Sequence, residues 1–254
     1  MDELFDSHCH LTDEPLIGQL DEVLSRAQNN LVTRIMVPGY DLTSSMAAAK
    51  LAQNHAEISF ATGIHPGWVT EDVFPLIELE AIIRRFQPSA IGEIGLDFAL
   101  DDHDPLAQGK ALEAQLELAR IFRLPVIIHC RKAFQPLYDQ LRQFPEVIGI
   151  LHAFNGGPAM GEKFLELGYY LAFGGGITRP NTRKIRKTAL MVPEDRVILE
   201  TDAPYIGSHT VAKGEIEPCH LQEIAKAFGQ LRGWDMAETA RRTTANAKRL
   251  FAVL

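Results

Sequence analysis

The chain has 254 residues, 46% of them hydrophobic, which is enough for a sizeable core and suits one large domain as well as two small ones. No apolar run approaches the roughly 20 residues needed to span a bilayer, and the acidic start Met1-Asp2-Glu3 lacks the basic and apolar regions of a signal peptide, so neither a membrane partner nor export is expected. The formal net charge of −8 argues against a protein that grips long nucleic acid by counterion release; a phosphorylated substrate must be drawn by bound cations and a local basic patch.

Short apolar segments at 4–8, 31–38, 58–65, 90–96, 125–130, 147–154, 169–174 and 197–202 have strand length and are mostly β-branched or aromatic. Helical patterns lie between them. Residues 17–28 are amphipathic, and Thr43 or Ser44 is placed to cap a helix over 45–54. Segments 75–86 and 106–122 carry apolar residues at three- and four-residue spacing, and 134–144, 160–167 and 181–191 follow. Two more, 221–231 and 237–251, come after the last strand. Strands alternating with helices imply βαβ units and a parallel sheet. About eight units is the count of a closed (β/α)8 barrel. The expectation is therefore an α/β TIM barrel, with 1–254 forming a single domain and a monomer. The alternative is an open doubly wound sheet, but the glycine-rich turn that would favour it does not follow the first strand.

In such barrels the chemistry sits at the C-terminal ends of the strands. Strand one ends in His8 and His10, which alternation places on one face with Cys9 on the other. Strand three runs into His65-Pro66, strand four delivers Glu93, strand five His129, strand six His152 and strand eight Asp202. A lone histidine or acid at such a place is more often a satisfied hydrogen-bonding residue than a ligand. The coincidence of His8, His10, Glu93, His129, His152 and Asp202 on five strands changes that weighing, because so many buried titratable groups require a partner. Mixed imidazole and carboxylate ligands suit zinc, manganese, iron or a magnesium-like ion. Six ligands exceed what one tetrahedral ion takes, which points to two divalent cations bridged by a carboxylate, as in phosphate-ester hydrolysis.

The other histidines read differently. His55 and His103 suit solvated loops or helix ends, and His220 suits a structural role at the start of a helix. His209 lies in the polar loop after Asp202, within reach of a substrate. His65 fits a substrate contact or a structural role equally well. Cys9, Cys130 and Cys219 are too few and too odd in number for a disulfide framework, so they read as free thiols of a reducing, cytoplasmic compartment. Alternation turns Cys9 and Cys130 away from the ligand face, into the layer between barrel and helices.

The segments FDSHCHL at 5–11, GIHP at 63–66, GEIGLDF at 92–98, LPVIIHCR at 124–131, LHAFNG at 151–156 and LETDAPY at 199–205 resemble, in order and over nearly the whole chain, the TatD family of metal-dependent deoxyribonucleases. The resemblance implies a (β/α)8 barrel of the metal-dependent hydrolase type. It implies that His8, His10 and Asp202 hold one cation, His129 and His152 the other, and that Glu93 bridges them. The cations would be zinc, magnesium or manganese. Related amidohydrolases often place a carbamylated lysine at the bridging position, so a glutamate there favours phosphoester cleavage. Four places depart from the family pattern: Ala99-Leu100-Asp101-Asp102 where a basic residue is usual, Ala153 in the HCF motif, Gly67 after GIHP, and Glu215-Ile216 where an Arg-Asn pair is usual.

The expected function is divalent-metal-dependent hydrolysis of phosphodiester bonds, with single-stranded DNA as the leading substrate. Glu93 and Asp202 are the catalytic residues, Asp202 orienting or deprotonating the attacking water. A small ester, lactone or amide, aminoacyl bonds included, is the rival substrate, and a non-catalytic binding module on the same fold is a further rival. Arg131 is placed to reach phosphate, as are Arg179 and Arg183 in the basic stretch 179–187, whose other reading is an ordinary solvated helix face. Asp97 reads as orienting a ligand, and Asp6 as doing the same or supporting the barrel floor. Phe154, Trp68 and Tyr205 suit base stacking or loop packing, with packing the better reading for Trp68.

Overall fold

The computed structural model describes residues 3–69, 74–102 and 104–252. His103 lies outside the described residues, as do Met1 and Asp2. The strands β1 (Leu4–Asp6), β2 (Val32–Pro38), β3 (Ile58–Thr62), β4 (Ala90–Asp97), β5 (Val126–Arg131), β6 (Gly149–Leu151), β7 (Tyr170–Phe173) and β8 (Val197–Leu199) pair in parallel in chain order. Outside them lie α1 (Leu20–Asn29), α2 (Leu42–Asn54), α3 (Leu76–Phe86), α4 (Pro105–Phe122), α5 (Phe134–Leu141), α6 (Pro158–Glu166), α7 (Arg183–Met191), α8 (Leu221–Arg232) and α9 (Met236–Phe251). Ser7 N–H donates to Leu199 O, Asp202 N–H to His8 O, and Cys9 bridges to Ala203, joining the first strand to the last. The fold is a (β/α)8 barrel, and no described helix is long and apolar enough to cross a membrane.

Alternation sorts the strand residues into two apolar layers. Every strand contributes to the inner one: Phe5, Met36, Ala61, Ala90, Ile127, Ile150, Tyr170 with Ala172, and Ile198. The end of α9 closes it from below through Ala247, Leu250 and Phe251, with the rings of Phe5 and Phe251 6.0 Å apart. The outer layer takes Ile35, Val37, Ile91, Val126, Ile128, Leu151, Val197 and Leu199. On β5, Val126 and Ile128 face out and Ile127 faces in, so the next inward position is His129. On β6 the same parity turns Ile150 and His152 inward.

Two local expectations change, and a third, the outward placement of Cys9, holds for another reason. The cap of α2 is Asp41, whose Oδ1 accepts the Ser44 N–H at 2.6 Å, so the helix starts earlier than a Thr43 or Ser44 cap would allow. Acid at the cap satisfies an amide that the first helical turn leaves without a partner. Strand β1 stops at Asp6, before the histidines. Continued alternation from the inward Phe5 would turn Cys9 inward; the bend at Ser7 instead places Cys9 in the outer layer.

Candidate metal centre

Glu93 sits where β4 and β5 lose register between Ile91 and Ile94, and such a bulge re-aims a side chain. Its N–H is tied to Gly39 O at 2.6 Å. The carboxylate divides its oxygens between two groups of ligand-type atoms. On one side, Oε2 lies 3.3 Å from His8 Nε2 and 3.7 Å from His10 Nε2. Asp202 Oδ1 is 3.7 and 3.4 Å from the same two nitrogens. On the other side, Oε1 lies 2.8 Å from His129 Nδ1 and 2.9 Å from His152 Nε2. The backbone at Asp202 is left-handed, φ 52°, and its N–H bond to His8 O at 2.9 Å holds that turn.

All six side chains are buried or nearly so. His8 Nε2 faces His10 Nε2 at 3.1 Å, and His129 Nδ1 faces His152 Nε2 at 3.2 Å. Lone pairs aimed at each other across such gaps repel unless a proton or a cation lies between them. Burial alone raises the Glu93 carboxyl, but His152, His65 and His8 together hold it well below the usual carboxylate range. Burial likewise opposes ionisation of Asp202, but His10, His8 and His152 together outweigh it and hold its carboxyl below the usual value. The result is two acceptor-rich pockets sharing one carboxylate, a nitrogen and oxygen donor set that fits divalent cations.

His129 turns its other nitrogen, Nε2, to Asp97 Oδ2 at 3.3 Å, and Asp97 Oδ1 accepts the Ala99 N–H. The sequence suggested an orienting role for Asp97, and this contact is the geometry such a role requires. Asp6 instead latches the barrel closed: its Oδ1 accepts the Thr201 N–H at 2.9 Å and its Oδ2 the Thr201 hydroxyl at 2.6 Å. Burial pushes its carboxyl up to about 8. His65 joins the centre, with Nε2 3.6 Å from Glu93 Oε1. Its Nδ1 accepts the Gly67 N–H at 2.9 Å, so the hydrogen of the neutral ring is on Nε2 and points toward the centre. Burial lowers His65 to about 4.

A cavity of about 200 Å³ opens over this cluster, with Tyr40, Trp68 and Tyr205 among its lining. The structure separates two of the aromatic residues for which stacking and packing were both open. Phe154 is 2% exposed and packs against Phe134 and Phe164, which leaves no face for a base. Trp68 packs against Tyr40 and His65, as the packing reading expects, and is also 51% exposed and lines the cavity. None of Arg131, Arg179 and Arg183 lines the cavity. Arg131 is beside Asp97 at 3.9 Å with 60% of its side chain exposed. Arg179 donates to Gly207 O at 2.8 Å. Arg183 is exposed at the start of α7. His209 is exposed and outside the lining. His55 is half-buried, 3.8 Å from Glu57. The Nδ1 of His220 accepts the Glu217 N–H, a structural cap.

Sequence reasoning assigned no role to Glu200, Tyr40, Asp13 and Lys213. Glu200 Oε1 accepts the Ala153 N–H and lies 3.6 Å from His152 Nδ1. Parity alone reveals it, since it follows the inward Ile198 by two positions. Lys213 places its ammonium 6.0 Å from the Tyr205 ring centroid. It brings positive charge near the mouth that Tyr205 lines.

A (β/α)8 barrel with imidazoles and carboxylates gathered at the C-terminal strand ends defines the class: a metal-dependent hydrolase. The profile of the family described as TatD related DNase matches residues 5–252, and the chain belongs to that family. It is 34% identical to the 3'-5' ssDNA/RNA exonuclease TatD of Erwinia tasmaniensis, covering 98% of this chain and 99% of that one. It is 33% identical to YabD of Bacillus subtilis, described as an uncharacterized metal-dependent hydrolase, with 98% and 99% covered. The crystal structure of YjjV, a TatD homolog from Escherichia coli K12, superimposes with a TM-score of 0.93 at 32% identity, covering 99% of this chain and 98% of that one.

Proposed function

We propose that this protein is a divalent-metal-dependent phosphodiesterase that removes nucleotides from single-stranded DNA. The observation that carries this reading is Glu93, one buried carboxylate with an oxygen within 3.3 Å of His8 and another within 2.9 Å of His129 and His152. In this reading His8, His10 and Asp202 would hold one cation, His129 and His152 would hold a second, and Glu93 would serve both. Two bound cations, zinc, magnesium or manganese, supply charge for the phosphate oxygens and lower the pKa of water.

The residues of the chain do the rest. Asp202 orients the attacking water and accepts its proton. His65 donates its Nε2–H to a phosphate oxygen. Arg131, Arg179 and Arg183 hold neighbouring phosphates of the strand outside the cavity. The 3'-5' direction named for the Erwinia relative is the expected polarity. The whole chain, 1–254, acts as one domain and as a monomer. Free Cys9, Cys130 and Cys219 suit the cytoplasm.

The test is a gel assay on 5'-labelled single-stranded DNA with Mg²⁺, Mn²⁺ and Zn²⁺ in turn, beside Glu93→Ala. A metal-dependent ladder absent from the variant supports the reading. A blank lane from metal-loaded protein sinks it and favours the rival, a small ester, lactone or amide. The aromatic lining from Tyr40, Trp68 and Tyr205 suits that rival too, and a panel of such compounds decides it.

A further inference from the structure

The mouth of the barrel is chemically lopsided. On the side formed by the segments after β1, β2, β3 and β8, three aromatic rings gather beside the ligand cluster. The ring centroids of Tyr40 and Trp68 are 4.7 Å apart at 42°. Tyr205 stands edge-on to His10 at 5.0 Å, and Trp68 edge-on to His65 at 5.5 Å. Both tyrosine hydroxyls end on one carboxylate: Tyr40 donates to Asp13 Oδ1 at 3.0 Å and Tyr205 to Oδ2 at 2.6 Å.

Asp13 therefore occupies the polar tips of both tyrosines, and what they offer the cavity is apolar ring surface. The fork also anchors two separate segments, so little freedom remains to be lost when something stacks there. Trp68 and Tyr205 stay 51% and 44% exposed. Large rings left half in water around one cavity mark a binding surface rather than core. We infer that Tyr40, Trp68 and Tyr205 form a nucleobase-binding site for the nucleotide whose phosphate lies at the ligand cluster, an inference that rests on the phosphodiesterase reading above.

The chemistry of the ligand follows from the site. A nucleobase is flat and has two π-faces, so stacking on aromatic rings holds any base. A base already paired in a duplex is not free to enter, which selects single strands and frayed ends. Stacking also needs no long basic track. That reconciles a nucleotide substrate with a chain of net charge −8, because the terminal nucleotide is held by its base instead of by many phosphates.

The test uses the metal-loaded protein and two probes, dAMP and 2-deoxyribose 5-phosphate. The chain has two tryptophans, and the second, Trp234, packs against Phe228 away from the mouth. In a Trp234→Phe background the fluorescence therefore reports Trp68. dAMP is expected to quench it and to bind about tenfold tighter than the sugar phosphate. By calorimetry, Trp68→Ala should remove that preference and Trp68→Phe should restore most of it. Equal affinity for the two probes overturns the inference, as does a dAMP preference that survives Trp68→Ala. The two readings fail separately. A dAMP preference without cleavage of any oligonucleotide supports the base site and sinks the nuclease reading; cleavage without the preference does the reverse.

Discussion

The carboxylate of Glu200 lies 3.6 Å from Nδ1 of His152, while Nε2 of the same ring is 2.9 Å from Glu93. The imidazole is thus held between two buried acids. Burial opposes charge on this ring, but Glu93 and Glu200 outweigh it and raise His152 well above its ordinary value. A carboxylate behind a ligand imidazole fixes which nitrogen carries the hydrogen and makes the other a better donor to metal. Glu200→Gln is expected to weaken cation binding about 10- to 100-fold with the fold intact. Competition with a chelating dye measures the affinity, and circular dichroism checks the fold. An unchanged affinity would leave Glu200 as a brace for the Ala153 turn alone.

Glu93 has the larger effect because both halves of the cluster depend on it. Glu93→Ala should lower kcat by about a thousandfold or more, comparable with losing a principal electrostatic element of a site. It should also lower the bound metal per chain, read by elemental analysis. A ligand that binds only the folded state adds about 4 kcal/mol when present at a thousand times its Kd. Stripping metal from the wild type should therefore lower Tm clearly, and the same treatment should matter much less in the variant. Equal drops in the two proteins would remove Glu93 from the ligand set.

Much of this site is visible in the sequence for a simple reason. Strands alternate, so Val126, Ile128 and Leu151 packing outward force His129 and His152 inward, and apolar runs make those strands easy to find. The HxH segment led to the right facing by the wrong route, since β1 ends at Asp6 and a bend at Ser7 sets the orientation. Trp68, Tyr40 and Asp13 were less legible because they belong to segments without periodicity. Their meeting depends on three separate connections folding over one mouth. Phe154 looked as available as Tyr205 until packing placed Phe134 and Phe164 against it. The tautomer of His65 rests on one bond from Gly67, which no pattern encodes.

Gly95 offers a stability test at the strand that carries the centre. Its φ is 145°, and a Cβ there would stand 2.0 Å from the carbonyl oxygen of His129. An alanine would need a backbone conformation that side chains rarely adopt and would push β5 away from β4. Gly95→Ala should cost about 3 kcal/mol or more, in the range of the severe backbone and overpacking substitutions. The urea midpoint measures this. An unchanged midpoint would mean that the two strands separate freely, and the rigid placement of His129 would have to be abandoned.

Two thiols give a pH prediction, and one of them, Cys219, lies away from the ligand cluster. Cys219 is half-buried, and burial first, then the charge of Glu217, pushes its thiol up from 9.0 to about 11. Burial likewise pushes Cys130 up to about 12. A folded thiol that keeps its proton above the pH where the unfolded chain loses its own adds stability at lower pH. That contribution fades as pH rises from about 9 through 11. At pH 8 alkylation of Cys219 in the native protein should be about a hundredfold slower than in urea, the factor for two pH units of thiolate population. Glu217→Gln should narrow the gap. Rapid native alkylation of Cys219, located by peptide mapping, would contradict this environment.

The proposed phosphate contacts of the basic stretch after β7 are tested by the helix that carries them. Arg183 and Lys184 open α7, where the helix dipole favours acidic side chains and disfavours basic ones. Folding alone gains nothing from that placement, whereas an incoming phosphate gains both the side-chain charges and the helix N-terminus. Reversing both charges, Arg183→Glu with Lys184→Glu, should therefore act in opposite directions on two readouts. Tm should rise slightly, because acids suit the first turn. KM for an oligonucleotide several phosphates long should rise, with kcat little changed and a shallower dependence on salt, while a dinucleotide that ends inside the cavity is barely affected. If KM for the long substrate stays put while Tm rises, the stretch is a solvated helix face and the strand leaves the mouth by another route.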